Sequence, residues 1–199
     1  MLFPTFPDFF TTLLVTNCNQ LKKKLFSCFA RCIIKVTHKR YNMVFNSEPL
    51  KNRLQTARRI KHLCEQFYLD LSLAFVVKNN KQIPLSKLSL PDFFNFVKNI
   101  PYRKDPSPRE IVARPYYIIK HRNLGADCKK KSTLICSYLR LYNWKYRAIG
   151  SSSRPDGIIC HIYFELFDPV TKQWKPVDAT YKKNVLFEKK TETAREVLK

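Results

Sequence analysis

The stretch "HIYFELFDPVTKQWKPVDATY", His161 to Tyr181, predicts two strands joined by a tight turn. Apolar and polar residues alternate on both sides of "DPVT", which is the pattern of half-buried strands. Pro169 is preset for the first central position of a type I turn, and Asp168 is suited to cap it. The segment is therefore predicted to fold as an antiparallel hairpin centred on the Pro169–Val170 bond.

This turn sets the register of the hairpin. Counted outward from the Pro169–Val170 bond, His161 on the first strand falls opposite Asp178 on the second. Directly opposed residues have Cβ atoms about 4.5–5.5 Å apart, so a carboxylate there can accept a hydrogen bond from an imidazole. Such a carboxylate fixes the tautomer of the ring and stabilises its protonated form. The same register predicts three further pairs: Tyr163 with Pro176, Glu165 with Trp174 and, on the core face, Ile162 with Val177.

The segments upstream of the hairpin have helical spacing. Apolar residues recur at helical positions in "PLKNRLQTARRIKHLCEQFYLD" (49–70) and in "LPDFFNFVKNI" (90–100), which predicts two amphipathic helices. The stretch "CKKKSTLICSYLRLYNW" (128–144) predicts a third, with Cys128 in its first turn. From Lys145 the period changes to two, and three strands are expected. Helices followed by strands predict an α+β fold, with helices packed on an antiparallel sheet.

Two connecting segments are less regular. The stretch "LSLAFVV" (71–77) is compatible with a short strand or with a continuation of the first helix. The stretch "PYRKDPSPREIVARP" (101–115) holds four of the twelve prolines. Each proline restricts the residue before it to extended geometry, so this stretch is predicted to be a loop. A short helix is expected over Tyr116 to Ile119.

Cys128 lies where that loop is predicted to become a helix. The start of a helix lowers the pKa of a thiol, because unpaired N–H groups and the helix dipole favour the thiolate. Gly125 permits the tight backbone that leads into the helix, and the Cys128 amide could donate to an oxyanion. A neighbouring imidazole would complete the activation. Cys128, His161 and Asp178 are therefore the candidate catalytic residues.

Each of the three also has a purely structural interpretation. Cys128 is compatible with a buried free cysteine, because the thiol behaves as a small apolar group. His161 is compatible with a half-buried strand histidine, and Asp178 with an acid beside a turn. The predicted pairing of His161 with Asp178 favours the catalytic interpretation.

The remaining cysteines carry other predictions. Cys64 and Cys136 lie on apolar helix faces and are expected to be buried free thiols, and Cys160 is expected in the core. A rival constellation has the residue types of a zinc site and consists of Cys18, Cys28, Cys32 and His38. Its spacing matches no recognised finger pattern, so we expect no metal, and the site needs no cofactor. Seven cysteines in no regular framework favour a reducing compartment, which predicts a cytoplasmic or phage-associated protein.

The chain is strongly basic, with 37 Lys and Arg against 15 Asp and Glu and a net charge of +22. Such a surface attracts polyanions, and an acidic polymer or nucleic acid is a candidate partner. Because the charge is spread along the chain, it is also compatible with an ordinary solvated surface. The composition therefore leaves the partner open.

Residues 1–42 differ from the rest and are interpreted as a basic amphipathic extension, followed by one domain over residues 43–199. The stretch "LKKKLFSCFARCIIKVTHKR" (21–40) predicts a helix that docks on the domain, on a partner or on an anionic membrane. Met43 could instead begin the functional protein. The apolar start lacks a basic leader and contains Asp8 and two prolines, so neither a signal peptide nor a transmembrane segment is expected.

The segment from about Phe93 to Lys182 resembles the transglutaminase-like superfamily of papain-type folds. The resemblance rests on four stretches: "FVKNIPYRKD", "ARPYYIIKHRNLGADCKKKSTLICSYL", "HIYFELFD" and "WKPVDATY". In that family a Cys opens the central helix, a His lies on the following strand and an Asp on the next. The resemblance implies that Cys128 is the nucleophile, that His161 is the general base and acid, and that Asp178 orients it. It also implies an upstream oxyanion donor, for which Tyr102 is the candidate.

The resemblance implies a thiol-dependent hydrolase, either a cysteine peptidase or an amidase, that acts on a protein or peptide through a thioester. Two alternatives stay open: a protein-glutamine acyltransferase, and a catalytically silent structural or binding protein such as a phage particle component. The lysines at 129–131 depart from bacterial relatives, which often have acidic or small residues there. The substrate preference of those relatives is therefore a poor guide.

Overall fold

A computed structural model of the chain describes residues 53–78, 80–106, 111–188 and 190–199. The expected basic helix, the candidate zinc set and the expected boundary between residues 42 and 43 lie outside these residues. All three stay predictions.

The predicted amphipathic helices are present in the described part of the chain. The helices are α1 (Arg53–Phe67), α2 (Leu90–Asn99), α3 (Pro115–Lys120) and α4 (Cys128–Leu141). Ser89 caps α2, since its hydroxyl accepts the Asp92 N–H at 3.3 Å. Pro115 begins α3, where a missing N–H has no cost. Residues 103–106 and 111–114 are irregular, as the prolines predicted.

The sheet has four antiparallel strands, β3 (Tyr146–Ser152), β4 (His161–Asp168), β5 (Gln173–Val177) and β6 (Ala194–Leu198). Their order across the sheet is β5-β4-β3-β6. The stretch "LSLAFVV" divides between a 3-10 turn (Tyr68–Ser72) and β1 (Phe75–Lys78), which pairs with β2 (Lys81–Pro84) in a separate hairpin. The fold class is α+β, as predicted.

Helix α4 lies at the centre of the fold and packs against the other three helices and β4. Leu134, Ile135 and Leu139 are fully buried on it. Phe93 of α2 and Phe164 of β4 are buried against the same core. Burial of these apolar side chains, which stabilises the fold, fixes the helix that begins at Cys128 relative to the strand that begins at His161.

The register between β4 and β5 differs from the predicted one by two residues. Glu165 lies opposite Pro176 and Phe164 opposite Val177, so the three predicted pairs are wrong. Asp168 does cap the turn, as predicted, and accepts the Val170 N–H at 2.9 Å. The turn is longer because residues 169–172 form the connection and Lys172 takes a positive φ of 54°.

The longer turn leaves the two faces of the hairpin unchanged, because a shift by an even number of residues keeps each side chain on its side of the sheet. Ile162, Phe164 and Val177 therefore still face the core, where all three are buried. Asp178 follows β5 directly and becomes a diagonal neighbour of His161. Diagonal neighbours are still within reach of one another's side chains.

Candidate active site

A close approach of two backbone segments precedes Cys128. The Ala126 N–H donates to the Pro101 carbonyl at 2.8 Å, and the Arg103 N–H donates to the Ala126 carbonyl at 3.3 Å. Gly125 directly precedes Ala126 and has a φ of 86° and a ψ of 165°, a region open almost only to glycine. A Cβ at this position would lie 2.7 Å from the Arg103 Cβ. The glycine therefore allows Tyr102 to lie beside the start of α4.

Asp127 caps α4 and sets the position of Cys128. The Asp127 carboxylate accepts the Lys130 N–H at 3.0 Å, and its carbonyl accepts the Lys131 N–H at 3.0 Å. Cys128 is the first residue of the helix, where an amide has no intrahelical acceptor. Its side chain is nearly covered, with 9% of the residue exposed. The thiol thus lies at the positive end of the helix dipole.

His161 and Asp178 form a buried pair. The imidazole Nε2 lies 2.9 Å from Asp178 Oδ2, and the aspartate side chain is 2% exposed. The other carboxylate oxygen accepts the Thr180 N–H at 3.0 Å. Lys190 Nζ lies 2.9 Å from Asp178 Oδ2, so a second cation shares the oxygen that binds His161.

Burial alone would raise the pKa of Asp178. The hydrogen bond and charge of His161, the charge of Lys190 and the hydrogen bond from Thr180 outweigh burial and hold that pKa well below its usual range. An ionised carboxylate only accepts hydrogen bonds, so the proton between the two side chains resides on His161 Nε2. The second ring nitrogen, Nδ1, is then left for Cys128.

Cys128 lies close enough to His161 to raise the pKa of the imidazole, so the three predicted catalytic residues meet at one site. Burial would lower the pKa of His161. The hydrogen bond and charge of Asp178, together with the interaction with Cys128, outweigh burial and raise it to about 10. A raised imidazole pKa favours transfer of the thiol proton to Nδ1, and the resulting thiolate and imidazolium stabilise each other.

Tyr102 lies at the site, as the resemblance implied, together with a tyrosine that the sequence interpretation did not single out. The ring centroids of Tyr102 and Tyr181 are 5.3 Å apart. Tyr181 also lies 5.9 Å from the His161 ring. Burial raises the pKa of both tyrosines, and the nearby Cys128 charge raises it further. Tyr181 ends the "WKPVDATY" stretch, and its position three residues after Asp178 was the available signal.

The lysines that follow Cys128 face inward. Lys129 and Lys130 both form ion pairs with Asp105, and Lys129 also pairs with the Asp127 carboxylate. Lys131 is 1% exposed and donates to the carbonyls of Thr180 at 3.0 Å and of Lys98 at 3.2 Å. These three side chains therefore organise the site from within.

The other described cysteines separate into two kinds. Cys64 and Cys136 are buried, as predicted, and burial raises the pKa of the Cys136 thiol. Cys160 is exposed, so its predicted core position is wrong. The reason is that β4 begins only at His161, and Cys160 ends the loop before it.

Within the described ranges, no group of three or more His, Cys, Asp or Glu side chains could hold a metal ion. The same residues include no helix that is both long enough and apolar enough to span a membrane. Comparison of this chain with protein-family models, with curated proteins and with solved structures finds no match.

Proposed function

We propose that this chain is a thiol-dependent hydrolase, a cysteine peptidase or amidase with a transglutaminase-like, papain-type core. The observation that carries the proposal is the meeting of Cys128, His161 and Asp178 at one site, with His161 Nε2 2.9 Å from Asp178 Oδ2 and Cys128 close enough to raise the pKa of His161. The start of α4 adds the helix dipole and the free amide of Cys128. The α+β architecture and the order of the three residues along the chain are those that the resemblance implies.

The geometry supports a two-step reaction. The thiol proton moves to His161 Nδ1, and the Cys128 sulfur attacks the carbonyl carbon of an amide. The Cys128 amide and Tyr102 are the candidate donors to the oxyanion that forms. The imidazolium then protonates the departing amine and leaves a thioester on Cys128. Water, deprotonated by the same imidazole, hydrolyses the thioester and restores the thiol.

The contacts of Asp178, Thr180 and Lys190 define how each of them orients the site. Asp178 holds the Nε2 proton, which keeps Nδ1 free to exchange a proton with Cys128. Thr180 and Lys190 hold Asp178 in turn. A cysteine with these neighbours differs from one that is merely buried, such as Cys64, whose thiol donates to the Thr133 carbonyl.

The test is selective alkylation by iodoacetamide at mildly acidic pH, followed by peptide mapping. Cys128 is expected to react much faster than the other cysteines, although Cys160 is more exposed. Cys160 is thus an internal control for accessibility without activation. The His161→Ala variant should lose the selectivity. Equal labelling of Cys128 and Cys160 in the wild type would support the catalytically silent alternative.

Release of the bound acyl group separates hydrolysis from acyl transfer. With a small acyl ester such as p-nitrophenyl acetate, Cys128 should be acylated and then deacylated by water. Deacylation that depends wholly on an added primary amine would favour the acyltransferase. The experiment requires no knowledge of the natural substrate.

A further inference from the structure

The mouth of the site is flanked by two short sequences of the same kind. Tyr102 is followed by Arg103 and Lys104, and Tyr181 is followed by Lys182 and Lys183. Both tyrosines are about half exposed, at 45% and 41%, their ring centroids are 5.3 Å apart, and both lie close enough to Cys128 for its charge to act on them. All four basic residues are exposed. Each of the two neighbouring tyrosines is therefore followed in the sequence by two cations.

We call Arg103, Lys104, Lys182 and Lys183 the rim of the site. Two carboxylates of the site already form ion pairs with other cations. Asp105 pairs with Lys129 and Lys130, and Asp178 is buried against His161 and Lys190. Within the described part of the chain, none of the four rim cations forms an ion pair with a carboxylate. Arg103 Nη1 donates to the Leu124 carbonyl at 3.4 Å, which leaves its charge uncompensated. The rim therefore carries four positive charges that are not neutralised by described neighbours.

The charge of one rim residue, Lys182, acts on the buried Lys131. Burial lowers the pKa of Lys131 to about 8, and the charge of Lys182 acts in the same direction. Lys131 in turn donates to the Thr180 carbonyl beside Asp178. The charge of Lys182 therefore acts on Lys131, which Asp178 also affects, and Tyr181 before it interacts with Cys128. A ligand at this mouth lies in a positive potential.

We propose that the site takes an acidic peptide segment, whose carboxylates bind Arg103, Lys104, Lys182 and Lys183 while the scissile amide reaches Cys128 beside Tyr102 and Tyr181. This inference rests on the proposed hydrolase function. The cations border an amide-cleaving site, so the favoured ligand carries both carboxylates and an acyl group. A nucleic acid supplies the negative charge but no acyl carbon for the sulfur to attack. The rim also gives a local role to part of the net charge of +22.

The test compares two alkylating reagents that differ only in charge. Iodoacetate and iodoacetamide have similar size and the same leaving group, so the ratio of their rate constants at Cys128 reports the local potential. Changes in the thiolate fraction affect both reagents equally and cancel in the ratio. We expect iodoacetate to be favoured at Cys128 relative to Cys160 of the same molecule. Added salt should reduce the preference, since it screens exposed charges.

The double variant Lys182→Gln/Lys183→Gln should lower the iodoacetate-to-iodoacetamide ratio on the order of threefold or more, the effect of removing nearby exposed charges. The matched control is Lys81→Gln/Lys87→Gln, which removes the same net charge from exposed positions. Lys87 follows Ser86, whose carbonyl accepts the Tyr142 hydroxyl. Tyr142 follows the last residue of α4, about 20 Å along the helix axis from Cys128. This control should keep the wild-type ratio.

Two labelling results distinguish the acidic-substrate inference from the hydrolase function. Fast iodoacetamide labelling with a ratio that both double variants leave unchanged overturns the acidic-substrate inference but keeps the hydrolase. Slow, unselective labelling by both reagents overturns the hydrolase itself.

A protection experiment compares two polyanions. Poly-glutamate should protect Cys128 from iodoacetamide better than an oligodeoxythymidylate of equal charge. The reverse order would favour a nucleic-acid surface and contradict the inference.

Discussion

Asp178 Oδ2 lies 2.9 Å from His161 Nε2, although the two residues are not opposite each other in the β4–β5 pair. Asp178 lies just past the end of β5, where the backbone is free to turn. The Thr180 N–H and the Lys190 ammonium hold its carboxylate in place. The orientation of the histidine thus depends on a turn and a distant lysine as well as on the sheet.

Substitutions of Asp178 separate its charge from its hydrogen bond. Asp178→Asn keeps an acceptor for His161 but removes the charge, whereas Asp178→Ala removes both. Loss of the charge should lower the pKa of His161 and reduce iodoacetamide labelling of Cys128 at mildly acidic pH, by about tenfold for each unit lost. Asp178→Ala should be slower still, since the ring also loses its orientation. NMR titration of the imidazole provides the independent measurement, and an unchanged His161 pKa in both variants would contradict this account.

The raised pKa of His161 predicts a pH-dependent contribution to stability. Its pKa rises on folding from 6.5 to about 10, because the partners Asp178 and Cys128 outweigh burial. A group with a raised folded-state pKa stabilises fully below its unfolded pKa and loses the effect as pH rises through the folded value. The free energy of unfolding of wild type minus that of His161→Gln should therefore be largest below about pH 6.5 and decline towards about pH 10. Urea unfolding measures it, and an equal trend in His62→Gln, at an exposed position of α1, would contradict the assignment.

The candidate catalytic residues could be singled out from the sequence, but the groups that contact them could not. A cysteine after a glycine-containing turn and a histidine near an aspartate on adjacent strands are local patterns. Lys190 reaches Asp178 from twelve positions further along the chain, and Lys131 reaches the Thr180 carbonyl from another element. Nothing in the local spacing of either lysine distinguishes it from a solvated surface lysine.

Tyr102→Phe tests the candidate oxyanion donor. Acylation of Cys128 by p-nitrophenyl acetate passes through a tetrahedral oxyanion, whereas alkylation by iodoacetamide does not. Loss of one oxyanion donor slows acylation by about 10²-fold, so the ratio of acylation to alkylation should fall accordingly. Tyr181→Phe removes the same oxygen from the adjacent ring and should preserve the ratio. A larger fall in Tyr181→Phe would assign the donor to Tyr181 instead.

Gly125→Ala should disturb the site, because its backbone conformation and the space around it both exclude a side chain. The conformation alone costs about 1–3 kcal/mol, and the new Cβ would lie 2.7 Å from the Arg103 Cβ. We expect lower stability and slower alkylation of Cys128. Gly157→Ala is the matched control, since Gly157 also has a positive φ of 65° but the nearest atom to its new Cβ is 3.6 Å away. It should lose stability without changing the alkylation rate.

The fold was predictable where burial is periodic and unpredictable where it is not. The apolar faces of α1, α2 and α4 determine those helices, and the prolines mark the loop between α2 and α3. Strand β6 has no such pattern, since Arg195, Glu196 and Val197 are exposed. The ladder with β3 and the ion pair between Arg195 and Glu165 hold it to the sheet. The register error has a similar origin, because the left-handed conformation of Lys172 has no strong sequence signal.

Lys131→Met tests whether the buried lysine stabilises the turn that carries Asp178. The methionine fills similar space but leaves the carbonyls of Thr180 and Lys98 without their donor. A buried unsatisfied group costs about 1–3 kcal/mol, so the free energy of unfolding should fall, and removal of the buried charge offsets part of that fall at neutral pH. Burial lowers the pKa of Lys131 to about 8, so folding releases its proton and its penalty shrinks as pH rises from 8 towards 10.5. The stability of wild type relative to Lys131→Met should therefore increase through that window, the opposite of the trend for His161. Chemical denaturation across the window distinguishes the two signs, and a difference that declines with pH would show that Lys131 stays charged when buried.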